Sequence, residues 1–170
     1  PPLPQEKIND AIALNLSMIS PLPEGDRYGA AEPIGRGASG ESEYLGVFAP
    51  RTAIDPYMAI FRESGFLPVA LEFSGLSIAR AIREFSSHDS SVPAIVARLG
   101  SAGADFFIIK DGRLAFQYLS LWENLLSESG GRQIGLDALS KFLAREISRV
   151  SHFYSGKWGG SIRHILLASG

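Results

Sequence analysis

The stretch Val92–Trp122, VPAIVARLGSAGADFFIIKDGRLAFQYLSLW, decides the fold. Apolar and β-branched residues fill three short runs, and compact Gly-containing turns separate them, which is the pattern of consecutive antiparallel strands. The first turn spans Gly100–Gly103 (GSAG), and the second spans Lys110–Gly112 (KDG), a composition typical of a hairpin tip. The stretch therefore predicts a three-stranded antiparallel sheet.

The residues after this sheet predict a helix and one further strand. The apolar residues of Leu136–Phe153 recur at helical spacing and form one stripe, which consists of Leu139, Phe142, Leu143, Ile147, Val150 and Phe153. Ile162–Ala168 then has the composition of a strand. A strand that returns across a helix pairs parallel with its sheet through a right-handed crossover. The order of these elements resembles a ribonuclease H-like lobe.

The first half of the chain predicts a smaller mixed unit. Its patterns alternate between helical and extended: helix Pro4–Leu16, strands Tyr28–Ile34 and Tyr44–Ala49, helix Thr52–Ser64, strand Phe66–Phe73 and helix Ser74–Phe85. The Gly/Ser-rich segment Gly35–Glu43 predicts a hairpin loop, and Ser127–Gly135 predicts a second loop. The polar segment Ser86–Ser91 predicts a boundary between residues 1–85 and residues 92–170.

Composition narrows the classes of function. The chain has 170 residues, of which 45% are apolar and 20% charged, and its formal net charge is −2. We expect no nucleic-acid partner, because no run of Lys and Arg supplies a basic patch. We expect no direct membrane insertion, because no apolar run approaches the roughly 20 residues that span a bilayer. The absence of cysteine excludes a disulfide framework and a cysteine nucleophile.

The first and last residues of the sequence have the composition of segments from the interior of a longer chain. The chain opens on Pro1-Pro2 without a methionine, and it closes on Leu166–Gly170, where a strand meets the start of a Gly turn. We therefore expect the sequence to be part of a longer protein.

The turn Gly100-Ser101-Ala102-Gly103 is the candidate binding site. A turn with glycine at both ends exposes backbone N–H groups that can hold an anion such as phosphate. We take Gly100, Ser101 and Gly103 as the candidate phosphate-binding residues. The alternative stays open that these glycines serve the hairpin turn for steric reasons alone.

We predict no catalytic residue and no metal ligand. A two-metal nuclease on this fold needs several carboxylates that converge on one point, and Asp105 could begin such a set. Asp111, however, fits the hairpin tip, and Glu146 fits an i,i+3 ion pair with Arg149. Of the three histidines, His88 lies in the polar linker, and His152 and His164 have no histidine or carboxylate at metal-ligand spacing.

Several segments resemble the PilM family of type IV pilus assembly and the related cytoplasmic domain of the type II secretion L protein. The similarity covers nearly the whole chain through short, apolar motifs. The matching segments are Ala94–Gly100 (AIVARLG), Lys110–Leu114 (KDGRL), Arg145–Tyr154 (REISRVSHFY) and Ile165–Gly170 (ILLASG), and more loosely Pro50–Glu72.

This resemblance implies an actin-like ATPase fold. It also implies a cytoplasmic location at the inner face of the inner membrane and a partner that is the cytoplasmic tail of an inner-membrane pilus or secretion protein. Some members of the family bind ATP between two lobes. The resemblance places the phosphate-binding turn at Gly100–Gly103. We therefore predict an α+β chain with an incomplete actin-like (ribonuclease H-like) lobe in residues 92–170. A small inserted α/β subdomain plus a connecting helix would occupy residues 1–85.

The chain departs from the family at the residues that hold nucleotide. Arg98 stands where the family carries the aspartate before the second phosphate loop, which inverts the charge that helps to hold Mg²⁺. The first phosphate loop would lie upstream of Pro1, and the adenosine-side Gly-Gly would begin at Gly170. We therefore predict a non-catalytic scaffold, with no cofactor expected.

Two alternatives stay open. One is a functional actin-like ATPase that binds ATP with Mg²⁺ between two lobes in the full-length protein, its magnesium aspartate supplied elsewhere. The other is an unrelated binding module whose Gly-rich turns are only turns.

Overall fold

The computed structural model describes residues 5–37, 40–128 and 134–169. They belong to two compact units. The first unit comprises the described residues up to Arg36 together with Ser42–Leu71, and the second comprises the described residues of 37–41 and those from Glu72 onward. The chain is thus a mixed α+β protein with one sheet in each unit.

The first unit is a two-stranded ribbon with a helix before it and a helix after it. Its elements are α1 (Gln5–Ile19), β1 (Arg27–Arg36), β2 (Ser42–Pro50) and α2 (Arg51–Glu63). The two strands pair antiparallel. Arg27 Nη1 donates to the carbonyl oxygen of Leu16 at 3.0 Å, which ties α1 to the ribbon. The Tyr28 hydroxyl donates to Asp55 Oδ1 at 2.7 Å, which ties α2 to it.

The second unit is a four-stranded sheet with helices on both faces. Its elements are α3 (Ser74–Phe85), β3 (Ala94–Leu99), β4 (Gly103–Lys110), β5 (Arg113–Leu121), α4 (Trp122–Glu128), α5 (Leu136–Trp158) and β6 (His164–Ser169). The sheet order is β5-β4-β3-β6. The first three strands pair antiparallel, and β6 pairs parallel with β3. The predicted three-strand, helix, parallel-strand order is therefore confirmed.

Adjacent phenylalanines on β4 form the core on the two faces of this sheet. Phe106 and Phe107 are both fully buried, and successive residues of a strand point to opposite faces. The Phe106 ring stacks on Tyr118, and Arg149 of α5 donates to the Tyr118 hydroxyl, so this is the α5 face. On the other face, Gly75 of α3 lies directly against Phe107.

The apolar stripe of α5 differs in part from the predicted one. Its buried residues are Phe142, Glu146, Val150 and Tyr154, which recur every fourth position. Phe153, which the periodicity placed on the stripe, is 40% exposed and stacks on Phe116. A row of residues four apart runs inclined to the helix axis, and this row includes the charged Glu146, which the predicted stripe did not.

Two predicted elements are wrong. Phe66–Phe73 is not a strand: its backbone is irregular, and Val69 is 92% exposed. Pro68 has no N–H for a ladder, and none of the pairings among the described strands includes this segment. Trp122, predicted at the end of the third strand, and the first two residues of the loop predicted over Ser127–Gly135 belong instead to α4 (Trp122–Glu128).

Element ends account for the other differences. The helix predicted over Pro4–Leu16 continues to Ile19, and Pro4 lies outside the described residues. The loop predicted over Gly35–Glu43 is shorter, because β1 reaches Arg36 and β2 begins at Ser42; residues 38–39 lie outside the description. Residues 129–133 of the second predicted loop also lie outside it.

The first compact unit ends at Leu71 rather than in the predicted boundary segment Ser86–Ser91. Helix α3, counted from the sequence as a connecting helix of the first part, packs on β5 of the second unit. The roles assigned to residues 1–85 and 92–170 stay predictions. Within the described ranges, no helix is both long and apolar enough to cross a bilayer.

Candidate functional site

The turn between β3 and β4 is closed by its own backbone. The Gly100 N–H donates to the carbonyl oxygen of Gly103 at 2.9 Å. Trp122 braces the turn from α4, since its backbone N–H donates to Ala102 at 3.1 Å and its indole Nε1 donates to the Gly100 carbonyl at 2.9 Å. The Gly100 N–H is thus used within the turn, and Ser101 and Ala102 between the two glycines are exposed.

Gly103 is required by close packing against β5. A Cβ atom at this position would lie 2.2 Å from the Ser120 carbonyl oxygen and 2.9 Å from the Leu121 Cα. At Gly100 the same atom would lie 3.6 Å from the Gly103 carbonyl oxygen, an ordinary contact. The steric alternative therefore accounts for Gly103. The phosphate-binding role of Gly100, Ser101 and Gly103 stays a prediction.

Arg98 forms an ion pair with Asp105 across the first hairpin. The two residues are directly opposed in the β3–β4 register. Arg98 Nη2 and Nε lie 2.6 and 3.1 Å from Asp105 Oδ2, and the guanidinium carbon lies 5.7 Å from the centre of the Phe107 ring. Nη2 also lies 3.5 Å from the hydroxyl of Ser74, the first residue of α3. Arg98 is thus held on the α3 face of the sheet.

Three acidic residues of the second unit, Asp105, Asp111 and Glu146, each have a separate structural role. Asp105 is 7% exposed and bound to Arg98. Asp111 has a φ of 52° and lies at the tip of the second hairpin, as predicted. Glu146 makes the predicted i,i+3 ion pair with Arg149 at 3.2 Å. Among the residues that the structure describes, no three His, Asp or Glu side chains are grouped as metal ligands would be.

The first unit carries an apolar groove between α1 and the β1–β2 ribbon. Its volume is about 230 Å³, and its lining is mostly apolar: Ile12, Asn15, Leu16, Ile19, Ala31, Ser42, Tyr44 and Gly46. Gly46 lets α1 approach the ribbon, because a Cβ there would lie 3.0 Å from Leu16 Cδ2. The helical periodicity of α1 predicted an apolar face but did not predict that part of it stays open.

Sequence reasoning missed two features of the second unit. The Arg98–Asp105 pair could have been predicted from the sequence. Counting outward along both strands from the Gly100–Gly103 turn places residue 98 opposite residue 105. The second feature, a polar cavity between β5, α4 and α5, could not have been predicted from a local pattern, because it joins Tyr118 to Arg149, 31 positions away.

Comparison with known proteins shows a similarity at the level of three-dimensional structure. No protein-family model matches the chain, and no curated protein matches it. Among solved structures, it is similar to a chain of the "PilM-PilN type IV pilus biogenesis complex", with a TM-score of 0.64 and 17% sequence identity. The two chains share a fold. The similarity covers 100% of this chain and 57% of that one, so this chain spans less than two thirds of its structural relative.

Proposed function

We propose that this protein is a non-catalytic, cytoplasmic scaffold of a type IV pilus or type II secretion assembly. In this role it binds the tail of an inner-membrane protein at the inner face of that membrane. The observation that carries the proposal is Arg98, paired with Asp105 in a fold shared with a chain of the PilM-PilN complex. The first unit would be the small inserted subdomain, and the second the actin-like lobe.

The chemistry of Arg98 argues for a scaffold. Mg²⁺ is bound in nucleotide sites through carboxylates, waters and phosphate oxygens, whereas a guanidinium is always protonated and repels a cation. The Asp105 carboxylate lies close by, but both guanidinium donors that contact it reach the same oxygen, Oδ2. Asp105 lies opposite Arg98 on the neighbouring strand β4, so we assign this carboxylate to the ion pair rather than to a metal ion.

The groove of the first unit is the surface where we propose that the tail binds. It is apolar and lies beside helix residues that remain open, including Ile19 at 64% exposure. An apolar segment in such a groove would bury side chains at roughly 25 cal/mol per Å² of apolar surface.

Filling the groove is expected to abolish tail binding. In Gly46→Leu, the added side chain would occupy the space next to Leu16 and Ile19, the same space that the tail needs. We expect at least a tenfold loss of affinity, about 1.4 kcal/mol. The measurement is fluorescence anisotropy with labelled synthetic peptides of the tails of the organism's inner-membrane pilus and secretion proteins.

The matched control is Ala30→Leu. Ala30 is exposed on β1 and does not line the groove, so the same apolar side chain is added to the same ribbon outside the proposed site. Unchanged binding in this control would assign the loss to the groove. Equal binding by Gly46→Leu and the unaltered protein would refute the groove as the tail site.

Mg-ATP is expected to leave the melting temperature of the full-length protein unchanged. A ligand present at 100 times its dissociation constant stabilises the folded state by about 2.7 kcal/mol, which would shift the melting temperature by several degrees.

The variant that restores the negative charge at position 98 should combine Arg98→Asp with Asp105→Asn, because Arg98→Asp alone would set two carboxylates against each other. A clear shift in the unaltered protein would favour the ATPase alternative. A shift gained only by the variant would locate the loss at Arg98.

A further inference from the structure

The second unit contains a polar cavity that neither the fold nor the proposed function uses. Its volume is about 520 Å³, within the usual range for small-molecule sites. It lies between the end of β5, helix α4 and the middle of α5. Its lining is mostly polar and comprises Tyr118, Ser120, Asn124, Ser127, Arg145, Glu146 and Arg149.

Glu146 forms the charged base of this cavity. Its side chain is only 4% exposed, and it accepts from Arg145 Nε at 3.3 Å through Oε1 and from Arg149 Nη1 at 3.2 Å through Oε2. A buried carboxylate needs such compensation, since an unpaired one is strongly destabilising. Glu146 is therefore compensated by two arginines of its own helix.

Arg149 is oriented by two acceptors and still faces solvent. Its Nη1 also donates to the Tyr118 hydroxyl at 2.8 Å, and the guanidinium carbon lies 5.6 Å from the centre of the Tyr118 ring. The Arg149 side chain nevertheless remains 65% exposed. Both recorded bonds use Nη1, so the opposite side of the guanidinium fork is directed away from these partners. A fixed guanidinium fork matches the geometry of phosphate and carboxylate oxygens.

Two side-chain hydroxyl groups add donors to the cavity. Ser120 is 2% exposed as a residue and lines the cavity beside Tyr118. The Tyr118 hydroxyl accepts from Arg149, so its own proton remains available to a further acceptor.

We propose that this cavity binds the phosphate group of a small hydrophilic molecule. Arg149 supplies the charge-assisted hydrogen bonds, Tyr118 and Ser120 donate hydroxyl hydrogen bonds, and the Asn124 amide lies at the rim. Phosphate fits better than an apolar or cationic ligand, because the described lining consists of hydroxyl, amide and guanidinium groups around a neutralised carboxylate. The proposal is independent of the scaffold role, which concerns the first unit and Arg98.

Titration with inorganic phosphate tests the site directly. In ¹H–¹⁵N NMR spectra, we expect saturable shifts at the amides of Ser120, Asn124 and Arg149. Arg149→Gln should weaken binding by about tenfold or more, because a hydrogen bond to a charged group is lost. Arg163→Gln is the matched control: Arg163 is exposed on the same unit and does not line the cavity, so it should leave affinity unchanged.

Two further measurements keep the outcome decisive. If Arg149→Gln fails to fold, Tyr118→Phe removes a donor without removing a charge and should still weaken binding severalfold. Acetate in place of phosphate should bind more weakly, because it offers fewer oxygens to the same donors. The proposal is overturned if no saturable shift appears up to about 20 mM phosphate, a concentration well above millimolar affinity. Equal weakening by Arg163→Gln, or acetate binding as tightly as phosphate, overturns it as well.

Discussion

Replacing Gly103 by alanine is expected to destabilise the second unit by about 3 kcal/mol or more. The new methyl group would lie 2.2 Å from the Ser120 carbonyl oxygen and 2.9 Å from backbone atoms of Ser120 and Leu121. These are atoms of the neighbouring strand, which cannot rotate away as a flexible side chain would. Relief requires β4 and β5 to separate, and that would disturb the fully buried Phe106 in the same strand pair.

Gly100→Ala is the matched control in the same turn. A Cβ at Gly100 meets only the Gly103 carbonyl oxygen at 3.6 Å, so we expect a change within about 1 kcal/mol. Urea unfolding followed by circular dichroism measures both variants. If both glycines tolerated alanine equally, the packing explanation of Gly103 would fail, and anion binding would become the better explanation of this glycine.

The sequence predicted the second unit well because its decisive contacts are local. The two hairpins are set by turns of four and two residues, at Gly100–Gly103 and Asp111-Gly112, which fix the pairing of β3, β4 and β5. The long apolar stripe of α5 predicts a helix that packs on this sheet, and a strand that follows such a helix returns to the sheet parallel through a right-handed crossover. Each step needed only residues that are close along the chain.

The failures lie where distant partners decide the structure. Phe66–Phe73 has the composition of a strand, but a strand forms only where another strand offers its edge, and composition does not reveal that. The polar cavity brings β5 and α5 together across 31 positions. No local pattern in the sequence encodes these associations.

Removing the charge of Arg98 is expected to cost about 2–3 kcal/mol of stability. Breaking a buried ion pair by deleting one partner costs about 3–5 kcal/mol, because the remaining charge is left unpaired. Arg98→Ala would leave Asp105, whose side chain is 10% exposed, without the guanidinium that lies 2.6 Å away. The lower figure allows for solvent at Arg98, whose side chain is 29% exposed. Urea unfolding at neutral pH is the measurement.

Two companion variants separate the charge effect from the loss of packing. Arg80→Ala breaks the exposed ion pair with Glu72 in the same unit and should cost less than about 1 kcal/mol. Arg98→Met combined with Asp105→Leu replaces both charges by apolar groups and should recover most of the loss. If Arg98→Ala were as mild as Arg80→Ala, the pair would not hold the hairpin, and Arg98 would be available to a ligand. Recovery in the double variant would instead make Arg98 a structural cation, which is the property that the scaffold proposal requires.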